Sequence, residues 1–329
     1  MGRGKGMGSD VFYHYEVIIT KYKESEQLKT SRGYEMSRKS LQAYLEYSGK
    51  KPERLRFDAV DVEWVEGYQK FMTTVKTKGK AGKNLSLTTV SMYLRNLRTV
   101  FNKAIKEQEI QKGVYPFGLK RDGKYQMPAP RKVKKALSKK SLAILYKAEP
   151  QNELQQKAKD FFFFSYVCNG MNINDIALLR KSQLDENGFT FFRAKVKNTN
   201  SAPMEIRVYK TDHAQSVIDI YGNKLGSSDF VFPIIDESMS AQKRLRSIEN
   251  FTSFVNKHLQ KLCRANGLSD QISSNWARHS FITIGSVAGK GDDFLQKAVG
   301  HSNPETTRLY IDSTDNDTDK EFSNSLMDF

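Results

Sequence analysis

The residues best suited to chemistry gather near the C-terminus of the chain. "WARHSFITIGSVAG" sets Arg278 beside His279, and "LQKAVGHSNPETTRLY" sets His301 after a glycine and Tyr310 nine residues beyond it. Upstream, "FRAKVK" spaces Arg193, Lys195 and Lys197 two residues apart, the period that sends strand side chains to one face. Guanidinium groups donate two parallel hydrogen bonds to a phosphate, histidine changes charge near neutral pH, and a tyrosine hydroxyl is a nucleophile. Arg, Lys, His and Tyr together therefore suit chemistry on a phosphate.

Other chemistries lack support. The five histidines show neither HxxxH nor HExxH spacing, and the two cysteines, Cys168 and Cys263, lie far apart, so no metal site and no disulfide framework is expected. "GKAGKN" lacks the GK[ST] ending of a phosphate-binding loop, and no GxSxG elbow is present. No cofactor is expected. Lys and Arg number 53 against 37 Asp and Glu, a formal charge of +16, which points to a polyanionic partner. No apolar run has the length of a membrane span, and "MGRGKGMGSD" has neither the apolar core of a signal peptide nor the Ser or Thr at position 6 that myristoylation wants. The opening reads as a flexible basic arm, and the cysteine usage fits a reducing cytoplasm.

These residues need elements to position them, and 329 residues favour two domains. From Val11 to about Gly118 the texture is helical. Leu87, Val90, Leu94, Leu97, Phe101 and Ala104 or Ile105 form one stripe, with Arg95, Arg98 and Asn102 on another face; Trp64, Val65, Tyr68, Phe71 and Met72 repeat the pattern. A bundle of four or five helices follows. "LKRDGKYQMPAPRKVKKALSKKS" then carries two prolines and many basic residues against the single acid Asp122, and reads as an extended, charged linker. Beyond Ser138, "KAKDFFFFSYVCNGM" reads as a buried helix ending at Gly170, and "GFTFFRAKVKNTNSAPMEIRVY" as a hairpin of two strands. Long helices are expected from about Ala241 to Asn266 and from Trp276 to Val287. Two short ones follow, the first capped by Asp292 or Asp293 and ended by Gly300, the second started by Asn303 and Pro304. The last stretch is acidic, with Leu326, Met327 and Phe329 at its tip.

The order Arg-His, Leu-Gln, Gly-His-Ser, Thr-Thr and Tyr in these two segments resembles the C-terminal signature of the tyrosine recombinases, the phage-integrase family. The helical N-terminal part is similar to that family's SAM-like core-binding domain, so the resemblance covers most of the chain. It implies a mainly α fold: a helical core-binding domain over 1–121, a basic linker over 122–137, and a mixed α/β catalytic domain with a small antiparallel sheet over 138–329, including an acidic tail from about 313. The implied arrangement is a C-shaped clamp on double-stranded DNA, with Lys83, Arg95 and Arg98 and the linker residues Arg131, Lys132, Lys134 and Lys135 on phosphates.

The resemblance also assigns roles. Tyr310 would attack the scissile phosphodiester and form a 3′-phosphotyrosyl link, Arg278 and His301 would steady the phosphate oxygens, and Lys195 would protonate the leaving 5′-oxygen. His279 follows the arginine as either a brace or a direct participant. Exchange in the family takes a homotetramer on two recombination sites, and the apolar tail residues would dock on a neighbouring protomer; DNA-bending accessory proteins are compatible partners. The chain begins too close to its first helix for a preceding arm-binding domain, which favours inversion or resolution over directional integration.

Two positions depart from the pattern. The family's first arginine belongs where "CNGMNINDIALL" has Asn172, and a histidine belongs where "NWAR" has Asn275. Arg193 is the candidate to replace the missing arginine, with Arg180 next. A catalytically impaired DNA-binding relative and a type IB topoisomerase-like enzyme stay open beside the recombinase.

Overall fold

The computed structural model describes residues 9–74, 85–129, 135–193, 204–224, 226, 228–301 and 307. The chain divides into two compact units, Met1–Lys132 and Val133–Phe329.

The first unit is built on four α-helices: α1 (Val11–Glu24), α2 (Leu28–Tyr47), α3 (Val62–Thr74) and α4 (Leu87–Lys106). Asp10 caps α1 by accepting from the Phe12 N–H, and Ser86 caps α4 by accepting from the Thr89 N–H. The stripe of α4 is buried from Val90 through Leu94, Leu97 and Phe101 to Ala104, while Leu87, in the first turn, is exposed. All five apolar residues expected of α3 are buried. The helices α2 and α4 lie close enough for Asn96 Nδ2 to donate to the Gly33 carbonyl at 3.1 Å and Ser37 Oγ to the Tyr93 carbonyl at 3.1 Å. His14 of α1 meets Glu109, just past the end of α4, at 3.0 Å.

Residues 122–127, expected in the linker, belong to this unit instead. Tyr125 is buried in its core beside Phe117, Met127 packs on the same cluster, and the Tyr125 hydroxyl donates to Gln69 Oε1. Two apolar side chains inside a basic run suffice to hold the segment, because burying a large side chain stabilises by about 1.5–3 kcal/mol.

The second unit has, among its described residues, a short 3-10 turn (Lys181–Gln183) and the α-helices α5 (Lys139–Lys147), α6 (Glu153–Val167), α7 (Ile173–Leu178), α8 (Asp212–Tyr221), α9 (Ala241–Ala265), α10 (Asn275–Val287) and α11 (Asp292–Val299). The expected hairpin is present as β1 (Gly188–Phe192) antiparallel to β2 (Glu205–Tyr209), in the register Gly188 to Tyr209 and Phe192 to Glu205. Four consecutive phenylalanines make α6 the centre of the unit. Phe161 and Phe164 enter a cluster with Phe189, Ile206 and Val208 of the sheet, and Phe162 and Phe163 enter another with Leu145, Leu259 and Ala277. Four consecutive residues point to all sides of a helix, so this run must be covered on all sides, here by α5, α8, α9 and α10.

The two cysteines are buried in these clusters, and burial pushes the Cys168 thiol far up and the Cys263 thiol up to about 12. Since the thiolate is the reactive form, neither is expected to react with iodoacetamide at pH 8 in the folded protein, and both should react in denaturant. Alkylation of either residue in the native state, read by mass spectrometry, would contradict this packing. Among the described residues no helix is long and apolar enough to cross a membrane.

Candidate active site

Arg278 lies in the first turns of α10 with only 5% of its surface exposed. A buried guanidinium demands acceptors, and two backbone carbonyls supply them. Nη1 donates to Gly170 at 3.1 Å, and Nη2 donates to Val299 at the end of α11. Gly170 follows α6 in the left-handed region, φ 64°, and a Cβ there would stand 2.6 Å from the Arg278 Cα. Only glycine permits this approach.

The hairpin brings a second arginine to the same place. Arg193 continues the inward face of β1 set by Phe189 and Phe191, as period two requires. Its Nη1 donates to the Gly300 carbonyl at 2.8 Å, and its Nε is buried with no hydrogen-bond partner among the described residues. The two arginines thus take consecutive carbonyls, 299 and 300, at the C-terminus of α11. The last carbonyls of a helix lack partners within it and carry partial negative charge, so cations there are favourable. Gly300 ends the helix at φ 65°, as expected, and a Cβ on it would meet Ile206 Cδ1 at 2.5 Å and Arg193 Cδ at 2.8 Å. At the other end of α11 the expectation needs correction. Its N-cap is Gly291, with no side-chain cap, and Asp292 and Asp293 sit inside the first turn, where their charge still complements the helix dipole.

His301 follows directly and is buried. Its backbone N–H donates to the Gln296 carbonyl at 3.0 Å, Gln296 Nε2 donates to its carbonyl at 3.0 Å, and its Nδ1 lies 2.9 Å from the Thr307 hydroxyl. His279, one residue after Arg278, points to a different partner. Its Nδ1 lies 2.9 Å from the Lys135 carbonyl, which can only accept, so Nδ1 carries hydrogen and the ring braces α10 against the chain entering the unit. Next to it, Ser280 Oγ accepts from the Leu137 N–H at 2.8 Å.

The remaining candidates are placed as follows. Asn172 is the half-buried N-cap residue of α7 and makes no side-chain cap bond. Asn275 is exposed at the start of α10. Arg180 pairs with Asp229 at 2.6 Å and lies over the Phe230 ring, so its guanidinium is engaged by groups other than Arg278 and His301. Arg95 and Arg98 are exposed along α4, and exposed Lys135 Nζ donates to Gln271 Oε1 at 2.7 Å. Tyr310, Lys195, Lys83, Arg131, Lys132 and Lys134 lie outside the described residues. One group of potential metal ligands gathers among the described residues, His14, Glu107 and Glu109. Glu107 is already paired with Lys103 at 2.7 Å, and Glu109 with His14.

Residues 10–126 match the phage integrase SAM-like domain, and residues 135–317 match the phage integrase family. The chain belongs to the tyrosine recombinase family. No curated protein matches this tyrosine recombinase in sequence. Among solved structures, it is similar to the Tn1549 transposon integrase in complex with a circular intermediate DNA, at 18% identity over 95% of this chain and 98% of that one, with a TM-score of 0.61. It is also similar to the XerH site-specific recombinase bound to a palindromic difH substrate, at 16% identity over 92% and 81% of the two chains, TM-score 0.62. A lambda integrase dimer bound to a COC′ core site aligns at 13% identity over 89% and 95%, TM-score 0.59. Identities this low establish the fold, mainly helical with one small antiparallel sheet.

Within this recombinase, sequence reasoning found Arg278, His301 and Arg193, and the fold brings all three to the end of α11. It passed over Gln296 and Thr307 as individual residues, although both stand in the quoted signature as the Leu-Gln and Thr-Thr pairs. Their signal was spacing. Gln296 lies five residues before His301 and Thr307 six after it, close enough in the chain to clamp the ring and its backbone.

Proposed function

We propose that the protein is a site-specific recombinase that cuts and rejoins double-stranded DNA through a 3′-phosphotyrosyl intermediate on Tyr310, serving integration, excision or inversion of a DNA segment. The observation that carries this reading is the meeting of Arg278 and Arg193 on consecutive carbonyls beside His301. Two guanidinium groups held by fixed backbone acceptors are preorganised, so stabilising the extra negative charge of a pentavalent phosphate requires little rearrangement.

In this reaction the Tyr310 hydroxyl gives up its proton to water as its oxygen bonds to phosphorus and the bond to the 5′-oxygen breaks, and the departing oxygen takes a proton from Lys195. The covalent link retains the energy of the phosphodiester, so rejoining by the reverse attack needs no nucleotide cofactor. Arg193 takes over from the arginine absent at Asn172. Asn275 keeps a hydrogen-bonding amide where the family has a histidine, but it cannot carry a proton near neutral pH. The net charge of +16 and the exposed arginines of α4 support DNA as the partner, as do the DNA-bound states of the similar structures. Exchange between two recombination sites would be the work of a homotetramer in the cytoplasm.

A second reading, a DNA-binding relative that no longer cleaves, is favoured by Asn172 and Asn275 alone. One experiment separates the two. A duplex nicked just beyond the cleavage point loses its short 5′-hydroxyl fragment after attack, which traps the covalent complex. The expected result is a stable protein-DNA adduct whose proteolytic peptide carries nucleotide on Tyr310. Salt-sensitive binding with no adduct, or a link to another residue, would overturn the proposal.

A further inference from the structure

The partner of a histidine nitrogen decides which ring nitrogen carries hydrogen in the neutral form. At His279 the partner is a carbonyl, and Nδ1 must be the protonated nitrogen. At His301 it is the hydroxyl of Thr307, 2.9 Å from Nδ1, and a hydroxyl can donate as well as accept. Thr307 is fully buried, so its proton has no bulk water to go to, and buried donors find protein acceptors.

The geometry points to Thr307 as a positioning residue that holds neutral His301 in the Nε2–H tautomer by donating its hydroxyl hydrogen to Nδ1. This rests on the recombinase reading for its purpose. A neutral imidazole with hydrogen on Nε2 presents a donor to a phosphate oxygen, whereas the opposite tautomer presents a lone pair that the oxygen repels. A carboxylate in place of Thr307 would hold hydrogen on Nδ1 and favour the charged ring. The hydroxyl instead reverses its role when the ring is protonated, accepting from Nδ1–H, and the contact survives both states. The backbone of His301 is fixed at the same time by Gln296, through its carbonyl and its side-chain amide.

The test is nitrogen NMR of the full chain labelled with ¹⁵N-histidine, the His301 signals being assigned by their loss in His301→Gln. In the unmodified protein, above the pH at which the ring titrates, His301 is expected in the Nε2–H form. Thr307→Ser should preserve that form, and Thr307→Val, of nearly the same shape, should give a mixture with Nδ1–H. On nicked DNA, Thr307→Val should cleave about 10- to 100-fold more slowly at unchanged DNA affinity, the loss typical when a partner that orients a histidine is removed, and Thr307→Ser should cleave at nearly the original rate. His301 in the Nδ1–H form in the unmodified protein, or an unaltered tautomer in Thr307→Val, would overturn the proposal. If the recombinase reading failed, no form would cleave, yet the tautomer read in the free protein would still decide the role of Thr307. Should Thr307→Val not fold, the tautomer of the unmodified protein and of Thr307→Ser decides it alone.

Discussion

Arg193→Ala is expected to slow formation of the covalent complex by about 10²–10³-fold, the loss typical of one preorganised donor to a developing oxyanion, while DNA affinity changes little. The reasoning starts at β1. Phe189 and Phe191 are buried, and the alternation carries Arg193 inward to the Gly300 carbonyl, one residue from His301. On the proposed reading, in which Asn172 stands where the family's first arginine is expected, Arg193 would supply the second guanidinium beside Arg278. Arg193→Lys retains the charge but not the planar fork, and should fall between the two rates. The decisive variant is Asn172→Arg combined with Arg193→Ala. Residue 172 follows closely on Gly170, whose carbonyl receives Arg278, so an arginine there should recover part of the lost rate. Cleavage by Arg193→Ala at the original rate, measured by single-turnover trapping, would end the claim that Arg193 fills the gap.

The second large effect is expected at Gly170. Its left-handed backbone costs an alanine about 1–2 kcal/mol, and the Cβ would stand 2.6 Å from the Arg278 Cα, a backbone atom that cannot swing aside. Crowding of this kind adds about 1–3 kcal/mol. Gly267 supplies the control, because it has a φ of 68° with nothing within 4 Å of its added Cβ. Gly267→Ala should therefore cost only the backbone part, about 1–2 kcal/mol, and leave cleavage untouched. Gly170→Ala should cost about 2–5 kcal/mol by urea denaturation and also impair cleavage, since relief of the clash moves Arg278. Equal destabilisation by the two substitutions would show that the close approach is not what matters.

Much of this was readable from local patterns. The hairpin, the buried helix α6 and the αL glycine at 300 follow from period, apolar run and helix-end rules, each of which needs only a few neighbouring residues. The cap of α11 lies one or two residues before the aspartates expected to supply it, because Gly291, Asp292 and Asp293 all suit a helix start, and only backbone angles separate them. Tyr125 was assigned to the linker because charge and proline dominate its surroundings, while the Phe117 ring that holds it belongs to a different stretch. The Gly170 contact with Arg278 joins residues 108 positions apart, and no local rule reaches that far. The resemblance supplied Arg278, His301 and Tyr310 together, but the joining of Arg193 to the end of α11 is a property of how the sheet packs on that helix.

The brace formed by His279 and Ser280 has a mechanical side. Lys135 and Leu137 are bonded to the two residues immediately after Arg278, by a carbonyl and an N–H that leave little slack. Movement of residues 135–137 is therefore felt on α10 within a single residue of the arginine. The two bonds act as a handle on that helix, so that a displacement of residues 135–137 is also a load on the guanidinium that the Gly170 and Val299 carbonyls hold in place.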